Sequence, residues 1–151
     1  MRVALAVVVL ATILATPAIA DEVRILSSRG GEVSHFIDLF DPNLGESDRI
    51  DLKPGSRALR LDLDAVHSTI PRVLAASAKI TGETASATTL RFDYEGIDQT
   101  ESVVCILIAK PVRLVTLNGR PLPAGSYKQS DRTLLLHLQN TAIPQQIDLS
   151  F

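Results

Sequence analysis

Three side chains able to ligate a cation, His35, Asp38 and Asp41, recur at intervals of three. On a helix that spacing places groups on neighbouring positions of one face, where a divalent metal could be held. Pro42 ends any helix there, and no further ligand pattern stands nearby, so the residues read as a solvated edge. The following run, Asp41-Pro42-Asn43-Leu44-Gly45-Glu46-Ser47-Asp48, is rich in oxygen donors. A calcium loop of the EF-hand type needs glycine at its sixth position and a carboxylate at its twelfth. Gly45 falls at the fifth and Leu52 at the twelfth, so the run reads as a turn. Ser, His and Asp all occur, but no G-x-S-x-G elbow frames Ser102 or Ser126. His67 and His137 stand alone, and His137 alternates with Leu136 and Leu138 as an outward strand residue would. The pairs Asp62/Asp64 and Asp93/Glu95 sit two apart on alternating segments, which aims them at solvent, where nothing raises a carboxyl pKa for acid catalysis. There is no glycine-rich phosphate loop. No metal or cofactor is expected, and a non-enzymatic role is the main expectation; a small hydrolase using His35, Asp38 or paired strand carboxylates is the remote alternative.

The elements that would position these residues are short and alternating. Leu59–Asp64 and Leu90–Glu95 place apolar and charged residues on opposite faces, as strands do. Val112–Leu117 runs into Asn118-Gly119, the pair favoured in tight hairpins because both turn positions need positive φ. Thr133–Leu138 and Ile147–Phe151 alternate likewise, and Val23–Leu26 and Ser77–Ile80 are weaker candidates. Val33–Phe40, with Phe36, Leu39 and Phe40 at helical spacing, and Asp64–Ala76, interrupted by Pro71, compete as helices, of which one short one is allowed. Seven or eight strands at this spacing predict an all-β, antiparallel β-sandwich of immunoglobulin-like type.

One strand breaks the alternation. Val103-Val104-Cys105-Ile106-Leu107-Ile108-Ala109 is apolar on both faces. One row must face the core, and the other needs cover, from the 33–53 segment or from a partner. Val104, Ile106 and Ile108 are the candidate docking face, since an exposed row of branched aliphatics invites association. Cys105 lies inside this strand with no basic residue within four positions, which suits a buried, inert thiol rather than a reactive thiolate.

The chain carries 15 basic and 17 acidic residues, a net charge of -2 over 151 residues. That is too little positive charge for general nucleic-acid binding. One cysteine excludes an intramolecular disulfide framework. Residues 1–20 read as a secretory signal: Arg2, an apolar stretch from Ala4 to Ala15, and small residues at Ala18 and Ala20 before Asp21. The stretch is shorter than the roughly twenty residues that span a bilayer. Cleavage would leave 21–151 as a single domain in the periplasm or extracellular space, free of the membrane, with oligomeric state open.

The segment Pro111–Leu122, then Tyr127, Arg132–Leu138 and Ile147–Phe151, resembles the accessory β-sandwich found at the C-terminus of many secreted glycoside hydrolases. Arg72–Lys79 and Leu90–Tyr94 suit the same likeness, which spans about residues 70–151. The resemblance implies a sandwich fold and a non-catalytic role. The main expectation is an exported β-sandwich that binds a protein or polysaccharide partner; the alternative is an accessory subunit or detached remnant of a carbohydrate-active enzyme. With no Trp and with Phe92, Tyr94 and Phe151 on inward positions, only Tyr127 could act as an aromatic platform. Glycan contact would otherwise fall to the loops Asp41–Asp48 or Gly119–Tyr127.

Overall fold

The computed structural model describes residues 35–48 and 59–151. The signal segment 1–20 and the candidate strand Val23–Leu26 lie outside the described residues. The described residues are all-β: their strands form three antiparallel sheets, and the only helical turn among them is a 3-10 turn at Ala124–Ser126. The chain divides into two compact units between His67 and Ser68, a boundary that no change in composition marks.

The first unit holds β1 (Phe36–Asp38), β2 (Glu46–Ser47) and β3 (Arg60–Asp62) in the order β2-β1-β3. The helical spacing over Val33–Phe40 is therefore not realised; residues 36–38 are strand. Aspartates decide against the helix. Asp38 Oδ1 accepts the backbone N–H of Phe40 at 2.9 Å, and Asp41 Oδ1 accepts that of Asn43 at 2.9 Å. Each bond offers the backbone a turn in place of the helical ladder. Phe40, assigned to an apolar stripe by its spacing, is 62% exposed. Asp38 lies opposite Arg60 across the β1–β3 pair and the two form an ion pair at 2.7 Å.

The second unit is a two-sheet sandwich. One sheet contains β4 (Arg72–Ala76), β7 (Glu101–Leu107), β10 (Tyr127–Gln129) and β11 (Thr133–Gln139), in the order β10-β11-β7-β4. The other contains β5 (Lys79–Ala85), β6 (Thr89–Glu95), β8 (Leu114–Leu117), β9 (Arg120–Pro121) and β12 (Gln145–Ser150), in the order β5-β6-β12-β8-β9. The ambiguous stretch Asp64–Ala76 thus ends in a strand and contains no helix. The β8–β9 hairpin turns on Asn118 (φ 50°) and Gly119 (φ 76°), both left-handed as a type I′ turn requires.

A single apolar cluster joins the two sheets. Leu90, Phe92 and Tyr94 from β6, Val115 from β8 and Ile147 and Leu149 from β12 meet Val104 and Ile106 from β7 and Leu134, Leu136 and Leu138 from β11. Alternation places these residues, and cross-strand register aligns them: Leu134 lies opposite Ile106, Leu136 opposite Val104, and Leu149 opposite Leu90. This settles the row offered above as a docking face. Val104, Ile106 and Ile108 are core residues, withdrawn from solvent. The register with the leucines of β11 makes that face the continuous apolar one, so it is the face the sandwich closes over. Val103, Cys105 and Leu107 are buried as well, so neither row of β7 is a surface.

Two stability predictions follow from this packing. Ile106→Asp leaves an unpaired charge at a fully buried site and removes an aliphatic side chain, a loss above about 4 kcal/mol that should unfold the sandwich; loss of the sigmoidal denaturation transition is the readout. At Gly119 there is open space for a Cβ, so Gly119→Ala meets only the positive-φ penalty. It should lower the unfolding free energy by about 1 kcal/mol, seen as a lower denaturant midpoint with an unchanged slope.

Candidate functional site: a hydroxyl-lined sheet face

The outward residues of the five-stranded sheet form cross-strand rows. Thr84, Arg91, Asp148 and Thr116 lie in one line, opposite one another along β5, β6, β12 and β8. Thr89, Ser150 and Leu114 form the next. Together with Ser86 these residues line a shallow groove of about 490 Å3. Its centre is charged and its margin hydroxylated, with the half-exposed Leu114 as the apolar part of its floor.

The centre is held by a short chain of polar contacts. Arg91 Nε donates to Asp148 Oδ1, and Gln146 Nε2 donates to Asp148 Oδ2 at 2.7 Å. Gln146 is anchored in turn, because its backbone N–H donates to the side chain of Asn118 at 2.9 Å. At the margin, the hydroxyls of Ser86 and Thr89 lie 2.8 Å apart. Partial burial pushes the Asp148 carboxyl pKa up, but the hydrogen bonds from Arg91 and Gln146 and the charge of Arg91 outweigh it and hold the group below its usual value. A carboxyl so held stays ionised at neutral pH and is a fixed acceptor, the opposite of a general acid, which needs a raised pKa. The groove therefore displays donors and acceptors in a set pattern.

The residues singled out by type and spacing go elsewhere. His35 Nδ1 lies 3.6 Å from Asp64 Oδ2, Asp38 pairs with Arg60, and Asp41 bonds within its own turn. The three do not converge, and among the described residues no group of three His, Cys, Asp or Glu side chains could hold a metal. Asp62 Oδ1 accepts the N–H groups of Asp64 and Ala65, which shapes the turn after β3. Glu95 pairs with Lys79 at 3.0 Å. His137 is exposed, as its alternation predicts. Tyr127, the candidate aromatic platform, is half-buried and packs against the core cluster, while the Asp41–Asp48 run folds on its own Asp41.

The Arg91–Asp148 pair was not legible as a site. Both residues show as outward positions, in Leu90–Glu95 and Ile147–Phe151, but only the register of β6 against β12 places them opposite each other. The chain matches no family model, no curated protein and no solved structure.

The lowered pKa carries a pH signature. A carboxyl whose folded-state pKa lies below its unfolded value stabilises the fold above the unfolded pKa, and that stabilisation is lost as pH falls through the folded one. Wild type should exceed Asp148→Asn in stability near neutral pH, by less than about 1 kcal/mol because Arg91 is largely solvated. The gap should close on acidification below about pH 4. Denaturant midpoints of both proteins across a pH series check this; a gap that persists throughout would contradict it.

Proposed function

We propose that the chain is an exported, non-enzymatic β-sandwich protein that binds a glycan along the outer face of its five-stranded sheet. The carrying observation is the Arg91–Asp148 centre with Thr84, Ser86, Thr89, Thr116 and Ser150 around it. A fixed guanidinium–carboxylate pair presents donors beside acceptors, the pattern that adjacent sugar hydroxyls satisfy. Leu114 supplies an apolar patch for the C–H face of a ring, the part an aromatic shelf would otherwise play. The open, shallow shape suits a chain laid across the sheet rather than a small molecule enclosed in a pocket.

The likeness of residues 70–151 to accessory domains of secreted glycoside hydrolases supports the same reading from the sequence side. On that view the protein works as an accessory subunit or remnant of a carbohydrate-active enzyme, holding substrate without cleaving it. Periplasmic or extracellular placement follows from the signal-like residues 1–20.

Isothermal titration of the purified protein against neutral plant and bacterial polysaccharides tests the proposal. Binding should appear for at least one polymer and weaken about tenfold in Arg91→Ala, the effect of removing one or two charge-assisted hydrogen bonds. Absence of heat across the panel, or wild-type affinity in Arg91→Ala, would defeat it.

A further inference from the structure

Two isoleucines project from one end of the sandwich. Ile97, on the loop 96–100 between β6 and β7, is 78% exposed, and Ile143, on the loop 140–144 between β11 and β12, is 69% exposed. They are the most exposed large apolar side chains among the described residues. Exposed aliphatic residues on loops are ordinary when single and mobile. These two are held by a built framework.

Each isoleucine carbonyl terminates a relay of side-chain hydrogen bonds that starts inside the sandwich. In the first, Ser102 Oγ donates to Asn140 Oδ1 at 2.6 Å, Asn140 Nδ2 donates to Thr100 Oγ1 at 2.8 Å, and Thr100 Oγ1 donates to the carbonyl of Ile97 at 2.6 Å. In the second, the Tyr94 hydroxyl donates to Gln145 Oε1 at 3.2 Å, Gln145 Nε2 donates to Thr141 Oγ1, and Thr141 Oγ1 donates to the carbonyl of Ile143 at 2.9 Å. The two loops are also joined directly: Asn140 N–H donates to the Thr100 carbonyl at 2.8 Å, and Gln99 N–H to the Asn140 carbonyl at 3.3 Å. Gln99 takes a left-handed φ of 61° to make this junction. Gly96 lies so close under Asn140 that a Cβ there would approach its side chain to 2.2 Å. Ser102, Asn140, Gln145 and Tyr94 are all buried. A buried polar network with its members satisfied rigidifies the backbone it supports. Here that backbone carries two solvated isoleucines, which gain nothing for folding by standing in water.

Charge narrows the occupant. Asp98 on the 96–100 loop and Glu101 at the start of β7 are both exposed, and residues 139–146 carry no charge. Lys79, which pairs across from Glu95 at the start of β5, is engaged by that carboxylate at 3.0 Å. Two copies of this tip would bring like charges together, and anionic lipid headgroups would be repelled. A protein surface with an apolar socket edged by Lys or Arg matches both the apolar and the acidic parts.

We propose that the Ile97–Ile143 tip is a docking site for a protein partner presenting an apolar socket with a basic rim. The site is separate from the glycan groove on the sheet face. Pre-ordering of both loops removes much of the entropy cost that flexible loops meet on association.

The test places a photo-cross-linking amino acid at exposed Ala142 in the full chain, expressed in its source cells. The expected product is a cross-linked protein whose attached peptide, by mass spectrometry, combines apolar residues with Lys or Arg. Its yield should fall about tenfold in the Ile97→Ser, Ile143→Ser double variant, since burying an aliphatic side chain is worth at least that factor. It should fall as well in Asp98→Lys, Glu101→Lys. All four positions are exposed side chains outside the relays, so unchanged thermal midpoints confirm that the variants stay folded. Arg91→Ala should leave the yield unchanged, which separates this site from the groove. Cross-links only between copies of the chain, only to lipid, to a protein indifferent to these substitutions, or none at all would overturn the proposal, as would equal loss in Arg91→Ala.

Discussion

The closure of two apolar sheet faces on each other is the interaction that everything else in the second unit depends on. β7 and β12 are each flanked on both sides by other strands, and their inward residues supply the centre of the shared cluster. Once Ile106 and Val104 are committed to that interior, the outward rows follow from alternation alone, because a strand has only two faces. Arg91 is outside because Leu90 and Phe92 are inside, and Asp148 because Ile147 and Leu149 are. The polar groove is in this sense the reverse side of the core: the same register that aligns Leu149 with Leu90 brings Asp148 against Arg91. A slip of one residue would destroy both together.

That dependence explains what could be read in the chain and what could not. Strand identity was legible in Leu90–Glu95, Thr133–Leu138 and Ile147–Phe151, because a period of two is written in single residues. The Asn118-Gly119 turn was legible because so few residue pairs accept two positive φ values. The all-β antiparallel class followed from these. The helical spacing of Phe36, Leu39 and Phe40 misled because it was counted without the competing aspartates; Asp38 and Asp41 capture the very N–H groups a helix would need free. Composition alone leaves the row Val104, Ile106 and Ile108 open to either a docking face or the core, because which row of β7 faces the opposing sheet depends on long-range pairing with β11.

The candidate sites were invisible for a related reason. Arg91 and Asp148 are 57 residues apart, and Asn140 meets Thr100 at a separation of 40. Each residue alone is an unremarkable polar side chain on a strand or loop. Local motifs such as the oxygen-rich 41–48 run attract notice because their members are neighbours, yet neighbours along the chain chiefly satisfy one another, as Asp41 and Asn43 do. In this fold the polar groups with something to offer a ligand are those gathered by sheet register, and register is a property of the whole sandwich.

One detail of the sandwich margin reaches beyond recognition. β5 is the outer strand of its sheet, and Gly82, at φ 62°, shifts its register against β6 between Thr81 and Thr84. Beside the glycine, Glu83 turns its carboxylate to the backbone N–H of Val73 on β4, the outer strand of the other sheet, at 3.2 Å. An extra ribbon stacking onto this margin would find a kinked template on one side and an occupied donor on the other. The molecule therefore carries its own guard against fibril growth along that seam, which matters for a polypeptide rich in aliphatic strands.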